Sequence, residues 1–104
     1  MTAFTVLNAA RKAAGVPKLR ADAELRKIAK SRAADLLARG SLQHEGGAYA
    51  EVLACGKLDE QQVIREWLGS PPHHAVVLSA AYTHGAVVGQ TDARGRTWWV
   101  GVFR

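Results

Sequence analysis

Thr97-Trp98-Trp99-Val100-Gly101-Val102-Phe103 is the stretch that decides the architecture. In an extended strand, successive side chains point to opposite faces. Trp98, Val100 and Val102 therefore share one face, and Trp99, Gly101 and Phe103 share the other. Both faces are apolar. A strand buried on both sides needs helices on both sides. The expected fold is α+β, a three-layer α–β–α sandwich around a small central antiparallel sheet.

Working outward, Gly85 to Thr91 is a second strand, and Asp92-Ala93-Arg94-Gly95 is the turn of a hairpin. Before it, Trp67-Leu68-Gly69-Ser70-Pro71-Pro72-His73-His74 breaks one helix and opens another. Ser is a good N-cap and Pro fits a first helical turn. Ser70 is thus expected to cap a short helix running from His73 toward Ala81, with His73 and His74 on its first turn. The preceding helix starts at Asp59 and buries Val63, Ile64, Trp67 and Leu68. Tyr49 to Cys55 alternates as a short strand, with Glu51, Leu53 and Cys55 on one side. A carboxylate among apolar neighbours needs a partner or water.

Nearer the N-terminus, Phe4, Leu7 and Ala14 recur at helical spacing, and Gly15 with Pro17 gives a stop. That helix carries Asn8, expected to be exposed unless its amide has a hydrogen-bonding job. Asp22 caps a long second helix ending at Gly40. Its apolar stripe of Leu25, Ile28, Ala29, Ala33, Leu36 and Leu37 is broken only by Arg32. Ser41 to Gly47 reads as loop and carries His44 beside Glu45.

The chain of 104 residues is read as one domain, 1–104. Its single cysteine, Cys55, excludes an internal disulfide and a cysteine-rich zinc site, and reads as a small buried hydrophobe. No apolar run approaches a transmembrane length. The net charge is +5 with a pI near 9.9. The basic residues interleave with acids, which describes solvated helix faces rather than a nucleic-acid footprint. No leader is visible.

The order of these signals resembles a known family. Leu7-Asn8-Ala9-Ala10-Arg11 is followed by Gly15, Leu19 and a long helix. Then come His44, Ala50-Glu51-Val52-Leu53-Ala54-Cys55-Gly56, Trp67 with Ser70-Pro71-Pro72-His73, Tyr82, and the Gly-rich hairpin with Trp98-Trp99. This resembles the CAP superfamily (cysteine-rich secretory, antigen 5, pathogenesis-related 1), in its compact bacterial branch. The resemblance implies a secreted or periplasmic protein whose leader is absent here. It also implies a cleft lined by two histidines and acidic residues, which in some members binds a divalent cation. The matching positions are His44, Glu51 and His73. A second glutamate of the longer branch falls at Ser70, and the usual Asn after the first glutamate is Val52.

Two imidazoles and a carboxylate suit a zinc site with an open position. The expectation is a cleft of His44, Glu51, His73 and Ser70 in which His44, His73 and Glu51 hold a divalent cation weakly. Non-enzymatic binding of a small molecule, lipid or extracellular protein by a monomer is favoured, with no catalytic residue assigned. The alternative is a metal-dependent hydrolase using the same cleft, with Glu51 as base. Ser70 with His73 makes a poor serine hydrolase, because no acid is placed to orient the histidine. Trp67, Trp98 and Trp99 are candidates to line a groove, with core packing expected for at least two of them.

Overall fold

The structure is a computed structural model that describes residues 1–44 and 47–104. Three of its four helices begin where a side chain takes up free N–H groups. Thr2 caps α1 (Ala3–Ala13) by accepting from the Thr5 amide. Asp22 caps α2 (Ala23–Arg39) through the Leu25 amide, and Gly40 ends it in the left-handed conformation at φ 70°. Asp59 and Gln62 form a reciprocal capping box at the start of α3 (Glu60–Leu68). The fourth, α4 (Pro71–Val77), is shorter than the sequence pattern predicts and closes at Leu78. Ser70 holds its N-cap position, but its hydroxyl makes no capping hydrogen bond. Pro72, at the second helical position, has no N–H to offer that hydroxyl.

Four strands form one sheet: β1 (Arg20–Ala21), β2 (Ala50–Gly56), β3 (His84–Thr91) and β4 (Thr97–Phe103), in the order β1-β3-β4-β2. β4 is antiparallel to its neighbours β2 and β3. The expected all-antiparallel sheet is corrected to a mixed one, because β1 pairs parallel to β3. Two exposed residues carry no alternation, so β1 leaves no mark in the hydrophobic pattern.

The two faces of β4 organise two apolar cores. Trp98, Val100 and Val102 pack with Leu25, Ala29, Ala33 and Leu36 of α2. Trp99 and Phe103 pack with Leu7 of α1, Val63, Ile64 and Trp67 of α3, and Val77 of α4. The three layers are therefore α2, the sheet, and the α1/α3/α4 group. All three tryptophans are buried, so a groove lined by them is not formed. At Gly89 an added Cβ would lie 2.6 Å from the Trp99 ring, which is why the strand is bare beneath that indole.

The hairpin turn is held by one carboxylate. Asp92 accepts from the Arg94 and Arg96 amides, from Arg96 Nε and from Trp98 Nε1. Arg96 also lies 5.4 Å from the centre of the Trp98 ring. Desolvation opposes the charged form of Asp92, but these donors outweigh it and hold its pKa down to about 2.

Candidate functional site

β2 alternates as its sequence predicts, with Leu53 and Cys55 turned toward α2 and Val52 toward the opposite layer. Glu51 shares the α2 face, and its side chain is only 3% exposed. The residue that meets it is the one that breaks the α2 stripe. Arg32 Nε donates to Glu51 Oε2 at 2.8 Å, and Arg32 Nη2 donates to Oε1 at 3.2 Å. This two-pronged match of guanidinium and carboxylate answers the need that each residue has when buried.

Arg32 also gathers the loop that follows α2. Its Nη1 donates to Asp35 Oδ2 at 3.3 Å, and its Nη2 donates to the Gln43 carbonyl. Arg39 bonds Asp35 Oδ1 and Gln43 Oε1 at 3.2 and 3.0 Å. His44 then places Nδ1 3.3 Å from Glu51 Oε1 while its ring remains 64% exposed. The start of the loop is thus tied to both a helix and a strand. Glu45, which follows His44 in this loop, and Gly46 lie outside the described residues.

The third expected member comes from another helical layer. His73 lies on the first turn of α4, which packs on α3 and β2 in the layer across the sheet from α2. Among the described residues its ring makes no hydrogen bond or ion pair, with Ser70 or with Glu51. Of the expected cleft, His44 and Glu51 come together, and His73 and Ser70 make no hydrogen bond or ion pair with either among the described residues. Among the described residues no three His, Cys, Asp or Glu side chains are arranged to hold a metal ion. The Arg32 guanidinium also puts positive charge against both oxygens of Glu51. Among the described residues, therefore, the three donors that the resemblance implies are not gathered into a zinc site.

Beyond that cluster the end of the sheet opens into a cleft of about 570 Å³. It is lined by Tyr49 and Ala50, by Ala81 and Tyr82, and by Phe103 and Arg104. Tyr82 stacks on Phe103 with ring centres 6.2 Å apart. Arg104 Nη2 bonds Asp22 Oδ2 at 2.7 Å, which joins the cleft to the start of α2. Sequence reading picks out Tyr82 as a landmark only, and misses Arg104 and Tyr49. The signal for Arg32 is present, since a lone cation in a buried stripe and a lone carboxylate on a buried strand face invite pairing.

Cys55 is half-buried, and burial raises its thiol pKa. Arg11 is 1% exposed on the other side of the sheet. It donates to the carbonyls of Pro17, Val77, Ser79 and Tyr82, which fixes the segment that leads into the cleft.

Known proteins share this fold. The fold matches an outer surface protein from Borrelia burgdorferi with a TM-score of 0.86 at 20% identity, covering 96% of this chain and 86% of that one. It also matches a cysteine-rich secretory protein from Staphylococcus aureus with a TM-score of 0.67 at 16% identity. There the match covers 98% of this chain and 37% of the other. Comparison with curated proteins gives no match. The family model of the cysteine-rich secretory protein family, CAP, matches residues 4–103. A three-layer sandwich, a two-faced central strand and a family match over almost every residue agree, and the chain belongs to the CAP family.

Proposed function

We propose that this CAP domain is a non-enzymatic binding module that acts as a monomer outside the cytoplasm and holds a small molecule or lipid in the cleft at the end of the sheet. The cleft is the observation that carries the reading. Its volume of about 570 Å³ lies within the range of small-molecule sites. Tyr49 and Tyr82 offer aromatic surface for an apolar part, and Arg104 offers a cation for an anionic group. The Arg32–Glu51–His44 cluster braces the loop that leads into one wall. The family description, cysteine-rich secretory protein, supports a place outside the cytoplasm. No helix among the described residues is long and apolar enough to cross a membrane.

The arrangement favours binding over turnover. Glu51 is engaged by a guanidinium through both oxygens, so it is not poised as a base. Ser70 and His73 make no nucleophile–base hydrogen bond among the described residues.

Ligand-observed NMR with palmitate, lysophosphatidylcholine and indole-3-acetate tests the reading. Saturable binding of at least one compound, weakened about fivefold for an anionic one in Arg104→Gln, is expected. A flat response across all three would sink it. Zinc titrated into the same protein is expected to give no stoichiometric heat. A saturating isotherm lost in both His44→Ala and His73→Ala would restore the three-donor site.

A further inference from the structure

We infer that the outer edge of β3 is a docking slot for one extended peptide segment of alternating apolar and acidic character, added as a further strand beside β3. This site is separate from the cleft above and stands without it. The argument begins with backbone direction. His84 and Arg104 exchange both backbone hydrogen bonds, at 2.9 and 3.0 Å. In an antiparallel pair such bonds alternate along the strand. Ala86, Val88 and Gln90 therefore turn their amides and carbonyls toward β4, and Val87, Gly89 and Thr91 turn theirs outward. β1 pairs with this side of β3 only as far as Gly85. From Val87 to Thr91, about 16 Å of strand, no strand of the described residues lies on that side.

Exposed edges are ordinarily blunted by charge, Pro or a bulge. Ala86-Val87-Val88-Gly89-Gln90-Thr91 has no charge and no Pro, and its register with β4 runs without a bulge. A groove of about 480 Å³ starts where β1 stops. Its floor is Gly85 to Val87, and its walls come from both helical layers: Thr2 and Phe4 of the α1 side, Ala23 and Arg26 of the α2 side. A strand's side chains alternate between two layers, so this is the shape of space that one added strand fills.

The walls also differ in chemistry. Phe4 makes one side apolar. On the other, Asp22 is already bonded to Arg104 and to the Leu25 amide, and Arg26 makes no ion pair among the described residues. The open charge of the groove is positive, on a chain of net charge +5. That selects carboxylates on the alternate positions of the guest and disfavours a second copy of this chain.

The probe is an N-acetylated, C-amidated heptapeptide, Val-Glu-Val-Thr-Val-Glu-Val, titrated into the full chain labelled with ¹⁵N. Before addition, the amides of Val87, Gly89 and Thr91 are expected to exchange with deuterium faster than those of Ala86, Val88 and Gln90. Peptide is expected to shift and protect those three amides. Arg26→Glu is expected to weaken binding about tenfold, and a peptide with Lys in place of Glu to bind no better than that variant. Shifts confined to Arg26 without protection of the edge, or no shifts at millimolar peptide, would overturn the inference. Edge amides already protected in the free chain, with a dimer in sedimentation, would overturn it in favour of self-pairing.

Discussion

Each helical layer buries one arginine, and the two are held in opposite ways. Arg11, in the α1/α3/α4 layer, is surrounded by backbone: all four of its acceptors are carbonyls of the main chain. Arg32, in the α2 layer, is matched mainly by side chains, two oxygens of Glu51 and one of Asp35. Burial lowers the pKa of Arg11, and no anion among the described residues pairs with it to offset the desolvation. The lesson concerns replaceability. Carbonyls cannot be mutated away, so Arg11 is a permanent commitment of the backbone around Pro17 and Ser79. A side-chain pair can be exchanged for another pair.

The largest expected effect comes from Arg11→Ala. It strands several carbonyls and opens a void, at a cost of about 3 kcal/mol or more, read as a lower denaturant midpoint. Arg11→Lys is expected to recover only part, since one ammonium cannot reach four separated acceptors. Next, Glu51→Leu and Arg32→Met should each destabilise by about 3 kcal/mol, while the double variant Arg32→Met/Glu51→Leu regains most of the loss. Additive losses in that cycle would erase the contrast between the two arginines.

Smaller effects sharpen the comparison by placing a third anchor beside it. The Asp92 carboxylate has a folded pKa of about 2, below its ordinary value of 3.8. A depressed carboxylate contributes stability that is whole above the unfolded pKa and is lost as pH falls through the folded one. Asp92→Asn should therefore flatten the acid limb between about pH 4 and 2, measured by thermal melts, in either arginine background. Smallest is Cys55, whose raised pKa should make its alkylation by iodoacetamide at pH 8 slower than that of a free thiol, with no change in fold.

Much of this architecture is legible in the sequence because it is written locally. β4 declares two buried faces by alternation, and Asp22, Asp59 and Gly40 mark helix ends through caps that depend on near neighbours. What fails to show is non-local. Asn8 looks like an ordinary surface residue, yet its amide donates to the Leu19 carbonyl and its oxygen accepts from the Leu19 amide. β1 is too short for any period. The order of motifs suggests that His73 lies near Glu51, whereas the alternation along β2 turns Glu51 toward the other layer. Arg32 and Glu51 each stand out as anomalies, and only their opposite charges hint that one explains the other.

The far edge of the sheet carries a different consequence. Trp67 Nε1 donates to the Leu53 carbonyl at 3.1 Å, so an indole occupies an outward backbone group of β2. The two margins of the sheet therefore differ in how freely they accept a further strand. A strand joining at the β2 margin would have to displace that indole, whereas one joining at β3 displaces nothing of the kind.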